Sequence, residues 1–488
     1  MDRDRQFEPS LSSAIETLVS GEFDTMTAVD LRQHIINRQI SPVDLTRRAL
    51  EKAEATQTTL NCFSVLAPED ALAAAKSAEQ AVMKGDALGV LHGLPFSAKD
   101  LIAVAGLPYM SGSRTMQANI GTVDAPAVAR AKAAGAIMIG KTTTSEFGCK
   151  PVGDSPLTGI TRHPWNLSKT PGGSSAGCAA SVAAGITPFA LGTDGGGSIR
   201  IPAAFTGTYG FKANFGRVPV WPTSATPTLA HVCPLARTVE DAALLLTAIS
   251  GYDGRDPASI AGPVPDFRGA CNAQVKGMRI AWSPTLGFAR PTPEVVDICA
   301  AAAQRFEALG CTIELVDEVF LEDPADLWTS EFYAGVGSRL RNFVETRREL
   351  LDPAVALILE AALRQDMRSY YEKVFKRYAF RDVMTEFFDR YDLLLSPVLP
   401  VSSLDIAKDI PDHLADRNLV SWIFYTYPFN LTGQPSASIC AGIAADGMPV
   451  GLQITARRNM ETDVLRASAA FQRLQPAGYN IRNHEPLL

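Results

Sequence analysis

An α/β fold built on a mostly parallel sheet flanked by helices is what this sequence predicts, and three observations predict it. Between about residues 88 and 215, short apolar runs alternate with helix-patterned stretches, the order in which crossover helices join parallel strands. Arg279 to Trp282, Pro293 to Leu309 and Thr312 to Val316 repeat that order as a second strand-helix-strand unit. Helix formers dominate the flanks, residues 1 to about 90 and 320 to 390. Apolar residues make up 46% of the 488, enough for a large core, and length alone would allow two or three domains.

Taken in order, the N-terminal region carries helical patterns at Thr27 to Arg32 and from Ser41, where serine can cap a helix that has Pro42 at its first position. Leu91 to Ala98 is an apolar, strand-like run that ends in Lys99. Asp124 to Ala134 has the pattern of a helix and Ala136 to Ile139 that of the strand after it. Ala179 to Gly185 is small and helix-compatible. Pro188 to Leu191 then forms a buried strand that runs through Gly192-Thr193-Asp194 into a loop, and a helix starts at Ile199 to Ala204. Thr238 to Ile249 is an amphipathic helix, whereas the glycines and prolines of residues 250 to 275 make a loop. In the region 320 to 390 the aromatics Trp328, Phe332, Tyr333, Tyr370, Tyr371, Phe375, Tyr378 and Phe380 are expected in the core, on a dimer surface or at a pocket entrance. After Leu393 to Pro397, Trp422 to Pro435 brings further aromatics toward the site.

Composition removes several function classes. A net charge of −7 with scattered basic residues gives no argument for nucleic acid. No apolar run reaches the roughly 18 residues of a membrane span, so no membrane association is expected. The charged start Met1-Asp2-Arg3-Asp4-Arg5 lacks an apolar segment and argues against secretion. Eight cysteines without a Cys-x-x-Cys pair suggest neither zinc nor a disulfide framework, and reduced thiols and a cytoplasmic location are expected. No His-Glu-x-x-His pattern is present.

Chemistry concentrates in Thr170 to Lys212. Two glycine-flanked serines stand there, Ser174 in Gly172-Gly173-Ser174-Ser175-Ala176-Gly177 and Ser198 in Asp194-Gly195-Gly196-Gly197-Ser198. Ser198 falls where a strand stops and a helix starts. Glycines there allow several N–H groups to point at one spot, and a helix N-terminus favours an anion formed in front of it. Such a loop can equally bind phosphate or make a turn, although neither Gly-x-Gly-x-x-Gly nor a P-loop ending is present. Lys99 is either a surface residue at a strand end or a buried base. To serve as a base near neutral pH its pKa must fall from about 10.4 to near 7, about 4 kcal/mol, which burial can supply.

Together the Lys99 segment and Thr170 to Lys212 resemble the two motifs of the amidase signature enzymes. Ser198 follows Ser174 by 24 positions and Ser174 follows Lys99 by 75, separations that match the family. The resemblance extends over nearly the whole chain, through Gly135 to Thr142, Pro164-Trp165-Asn166 and Gly447 to Gln453. It implies one domain over 1–488: a helical arm at 1–90, a catalytic core at 91–250, and a sheet extension with the variable pocket region at 251–488. The fold implied is a large mixed, mostly parallel sheet with helices on both faces.

The mechanism implied is amide hydrolysis through an acyl-enzyme. Ser198 is the nucleophile, Ser174 the proton relay, preceded in relatives by a cis peptide, and neutral Lys99 the base. Backbone N–H groups of Gly195, Gly196, Gly197 and Ser198 form the oxyanion hole. Gly148, Cys149 and Ser174 are expected to contact substrate. Ser175 hydrogen-bonds within the site, and Asp194 and Arg200 form an ion pair that holds the loop. From sequence alone Ser174 and Ser175 are exchangeable. No metal or other cofactor is called for. The partner is a small-molecule amide, and a homodimer is the expected assembly.

Three positions depart from the family pattern: Gly195 where threonine is usual, His163 where asparagine is usual, and Thr143 in place of a common asparagine. The extra glycine either loosens the loop or makes space beside the acyl group. Three functions remain open on this reading: a stand-alone amidase, the glutaminase component of a tRNA-dependent amidotransferase, and a catalytically silent binding protein on the same fold.

Overall fold

The computed structural model describes residues 22–474, so the charged N-terminal residues discussed above lie outside the described part. Among the described residues thirteen strands are present: β1 (Phe63–Leu66), β2 (Pro95–Lys99), β3 (Ile137–Thr142), β4 (Asp154–Ser155), β5 (Gly159–Ile160), β6 (Phe189–Thr193), β7 (Tyr209–Lys212), β8 (Val232–Ala236), β9 (Arg279–Trp282), β10 (Thr312–Leu315), β11 (Leu393–Pro397), β12 (Ser436–Ile443) and β13 (Pro449–Ala456). Eleven of them form one sheet in the order β1-β3-β2-β6-β8-β7-β12-β13-β11-β9-β10, while β4 and β5 pair separately.

The sheet is mixed. β2 runs parallel to both β3 and β6, and β9 runs parallel to both β10 and β11. Every other pairing, including the whole centre from β6 to β11, is antiparallel. Parallel pairing therefore predominates only within the two strand-helix-strand groups read from the sequence, and not across the sheet. Between β12 and β13 the reason is the five-residue connection from Ile443 to Pro449, which leaves no room for a crossover helix.

Every residue of β2, β3, β8 and β13 is buried, as expected of strands covered on both faces. Phe96, Phe189 and Leu191 are fully buried in the large cluster beneath them, each contributing about 1.5–3 kcal/mol. Ser41 accepts from the Val43 and Asp44 N–H groups with Pro42 behind it, so the Pro42–Leu60 helix starts as its sequence indicates. β1 interrupts the expected helical arm by pairing with the edge of β3. The Phe267–Ala270 turn of helix falls inside the expected 250–275 loop.

Three helices, Ala325–Thr346, Pro353–Ala362 and Met367–Arg390, occupy the 320–390 region. Trp328, Phe332 and Tyr333 are buried, whereas Tyr371, Phe375 and Tyr378 are exposed. Among the described residues no helix is long and apolar enough to cross a membrane.

Candidate active site

Two neighbouring strands bring the lysine and the serine loop together. β2 and β6 are parallel, with Ala98 opposite Leu191, so their C-terminal ends deliver Lys99 and Thr193 side by side. Ser174 arrives on the turn that enters the Ala176–Ala183 helix, and the Gly173–Ser174 peptide is cis. Lys99 Nζ donates to Ser174 Oγ at 2.7 Å and to Thr193 Oγ1 at 2.9 Å; Ser174 Oγ in turn donates to Ser198 Oγ at 3.0 Å. Lys99 is fully buried, and desolvation lowers its pKa to about 7. The thiol of Cys178, pushed up to about 11 by its own burial, is uncharged at neutral pH, so Asp194 is the anion that works against this fall.

The loop after β6 is braced by a buried ionic network. Asp194 Oδ1 and Oδ2 accept from Arg200 Nη2 and Nε at 2.9 and 3.0 Å, and Asn430 Nδ2 donates to Oδ1 at 2.9 Å. Arg200 also donates to Gln453 Oε1, Asn430 Oδ1 and the Thr426 carbonyl. With Arg200 as its main partner, the Asp194 carboxylate is held well below the usual range despite burial. The structure thus pairs Asp194 with Arg200 as a brace.

Ser175 separates from Ser174 in role. Its N–H donates to the Ser198 carbonyl at 3.3 Å, and its hydroxyl exchanges hydrogen bonds with the Thr193 backbone at 3.2 and 3.3 Å, locking the end of β6.

Of the four expected oxyanion donors, Gly197 is a correction. Its N–H donates to Asp194 Oδ1 at 2.8 Å, because the carboxylate that holds Arg200 also caps this turn. Among the described residues the N–H groups of Gly195, Gly196 and Ser198 have no acceptor.

A cavity of about 270 Å³ opens in front of Ser174 and Ser198. Its walls include Tyr109, Phe147, Trp221, Phe332 and Leu340, and Arg339 stands exposed among them. Gly148 also lines it; a Cβ there would sit 2.9 Å from Leu101 Cδ1 and 3.2 Å from Ser174 Oγ, and φ is +72°, so glycine keeps this wall open. Cys149 departs from expectation. It is buried, its carbonyl accepts from Tyr333 Oη at 2.8 Å, and it lines a narrow cleft of about 20 Å³ beside Gly148, Gly196 and Ser198 rather than the main cavity. Burial raises its thiol pKa far above the ordinary value, so it stays a protonated wall group.

The three departures from the family pattern are also placed. A Cβ at Gly195 would stand 2.9 Å from Phe332 Cε2, so the missing side chain makes room for this aromatic ring. His163 is buried away from the serines, accepting from Trp165 N–H and donating to the Phe205 carbonyl, with its pKa lowered to about 4. Thr143 shares a hydrogen bond with Thr161 at 2.7 Å.

The amidase family model matches residues 44–465. The chain belongs to the amidase signature family. It is 35% identical to an acylamidase from Rhodococcus erythropolis over 462 residues, 92% of this chain and 96% of the relative. It is also 33% identical to a glutamyl-tRNA(Gln) amidotransferase component from Geobacter sp. (strain M21), covering 93% of this chain and 98% of that one. A solved bacterial aryl acylamidase of the amidase signature family superposes with a TM-score of 0.88 at 32% identity, over 95% of this chain and 99% of its own. As an amidase signature enzyme, this protein is a hydrolase acting on amide C–N bonds.

Within this amidase signature fold, several contacts at the site had no local signal in the sequence. Thr193 on Lys99, Asn430 and Gln453 on the Asp194–Arg200 pair, and Trp328 and Thr426 on the glycine loop come from segments far apart. The polar Asn430 and Gln453, set within apolar runs, are the one hint the sequence offered, since a polar residue in a buried run usually answers a buried partner.

Proposed function

We propose that this protein is a stand-alone amidase that hydrolyses a small carboxamide, anilide or related amide through an acyl-enzyme on Ser198. The observation that carries this reading is the unbroken path from Lys99 Nζ through Ser174 Oγ to Ser198 Oγ, at 2.7 and 3.0 Å, ending on an amine whose pKa is about 7. A neutral lysine has one lone pair and two N–H bonds. It can therefore accept from the Ser174 hydroxyl while donating to Thr193, once the two serine hydroxyls rotate to pass protons inward.

Ser198 Oγ attacks the carbonyl carbon as its proton moves to Ser174 and the Ser174 proton moves to Lys99. The oxygen that gains charge faces the N–H groups of Gly195, Gly196 and Ser198. Collapse breaks the C–N bond, and the leaving amine takes the proton from Lys99 through Ser174. Water then cleaves the ester by the same path, releasing the carboxylic acid and restoring Ser198. The mainly apolar cavity suits an alkyl or aryl amide.

The amidotransferase reading fits the cavity less well. Arg339 carries the one fixed side-chain charge among the described lining residues, and no carboxylate lines it to meet the α-ammonium of glutamine. The purified chain alone, assayed on 4-nitroacetanilide, aliphatic amides, hydrazides, ureas and glutamine, is expected to release amine from an anilide or aliphatic amide, with none released by Ser198→Ala. Glutaminase activity alone would overturn the stand-alone reading. Equal turnover by Ser198→Ala would overturn the nucleophile.

A further inference from the structure

Three consecutive carbonyls in the Gly195-Gly196-Gly197 run are each held by a separate donor. Trp328 Nε1 donates to the Gly195 carbonyl at 2.8 Å, Thr426 Oγ1 to the Gly196 carbonyl at 2.6 Å, and the Ile201 N–H to the Gly197 carbonyl at 2.7 Å. The peptides of this run are trans, so the C=O and N–H of each unit point in opposite directions. Fixing the Gly195 carbonyl on the indole therefore aims the Gly196 N–H away from it. Fixing the Gly197 carbonyl does the same for the Ser198 N–H. Neither N–H has a protein acceptor among the described residues, and the intervening Gly197 N–H is turned onto Asp194.

The fit leaves no space for side chains. A Cβ at Gly196 would stand 2.3 Å from Trp328 Cζ2, and one at Gly197 would stand 2.4 Å from Thr426 Oγ1. The indole is itself immobilised. Trp328 is 2% exposed, stacks on Phe332 at 4.7 Å and on Tyr427 at 5.9 Å, and sits one turn into a helix whose Ala325 N–H is capped by Asp323. Asp323 is held in turn by Tyr427 and Arg417.

We propose that Trp328 is a positioning residue for the oxyanion donors: its indole N–H presets the Gly195–Gly196 peptide, and the Thr426 hydroxyl fixes the adjoining Gly196–Gly197 peptide from the other side of Gly196, so that the Gly196 N–H meets the transition-state oxygen. This rests on the reading of Ser198 as nucleophile given above. Donors set in advance need no reorganisation during the reaction, and losing one such donor outright costs about a hundred- to a thousandfold. Loosening its anchor costs less than losing it.

Trp328→Phe keeps a stacked ring and removes the N–H. On 4-nitroacetanilide it is expected to lower kcat by about ten- to a hundredfold with KM within about threefold, and to leave the pH at which the rate rises unchanged. Phosphonylation of Ser198 by a fluorophosphonate, which passes through a similar anionic centre, is expected to slow by a comparable factor, and phenylboronic acid to bind correspondingly more weakly. Thr426→Val should repeat the effect, and Thr426→Ser, which retains the hydroxyl, should recover most of the rate.

If Trp328→Phe instead raises KM with kcat unchanged, Trp328 is a pocket wall only and the proposal fails. If Trp328→Phe unfolds, the Thr426 pair decides: equal rates for the Val and Ser variants overturn it. Should the wild type cleave no amide, the amidase reading fails separately, while the fluorophosphonate rates of the variants still test the anchors.

Discussion

Replacing Lys99 with methionine keeps most of the volume of this buried side chain and removes the amine, and the structure gives two opposite consequences. The amine lies at the end of the path to Ser198, so its loss should lower kcat/KM by several orders of magnitude. Stability should move the other way. A lysine held at about 7 rather than 10.5 has been stripped of its proton by burial, which at neutral pH costs about 4 kcal/mol relative to the unfolded chain. Methionine avoids that cost but forfeits the hydrogen bonds to Ser174 and Thr193, about 1 kcal/mol each, leaving a net gain of about 2 kcal/mol.

The sign of the pH dependence follows from the lowered pKa. Between about pH 7 and 10.5 the unfolded chain binds the Lys99 proton and the native one does not, so stability from this group rises with pH across that window. Lys99→Met should lack that part of the rise. Activity should climb as the amine loses its proton, about tenfold from pH 6 to 8, in the wild type alone. Urea unfolding at several pH values and initial rates on 4-nitroacetanilide measure both. A variant that keeps more than a tenth of the activity at pH 8, or a wild-type rate flat from pH 6 to 9, would refute Lys99 as the base.

Ser198→Ala should abolish both turnover and fluorophosphonate labelling, and Ser174→Ala should cost at least about a hundredfold in kcat because Lys99 then has no hydroxyl between it and Ser198; labelled Ser198→Ala protein would discard the assignment. Asp194→Asn leaves the Arg200 guanidinium buried without its counter-charge and should cost about 3–5 kcal/mol in urea unfolding. A loss below about 1 kcal/mol would mean that Asn430 and Gln453 suffice to hold Arg200. Gly195→Thr should push against Phe332 and raise KM for aryl amides more than for acetamide, with Phe332→Ala in the same chain reversing the change. Unaltered relative KM values would show that Phe332 does not bound the substrate.

Much of the site could be read locally. A strand that ends in a lysine, a glycine-flanked serine before a helix of small residues, and a glycine run between a strand and a helix are each set by backbone requirements that neighbouring residues satisfy. Such signals made Lys99, Ser174 or Ser175, and Ser198 candidates, and the resemblance in their spacing chose among them; the Asp194–Arg200 brace, six residues apart, was legible locally. Their spacing along the chain further identified the family. The parallel pairs around β2 and β9 were legible because strand-helix-strand order dictates them; the antiparallel centre was not, since isolated apolar runs carry no direction.

Tertiary structure decided everything that depends on the environment of a group rather than its type. Lysine at a strand end becomes a candidate base only because β3, β6 and the serine turn exclude water from it, and a pKa responds to that exclusion and not to sequence neighbours. Gly197 stood in the sequence as one of four equivalent donors, and folding set it apart by turning its N–H onto Asp194. Cys149 lay beside Gly148 in the chain, yet only Gly148 reaches the main cavity. The reason each glycine of the loop must be a glycine lies in Phe332, Trp328 and Thr426, more than a hundred residues downstream, because close packing is a property of surfaces brought together and not of the segment that carries them.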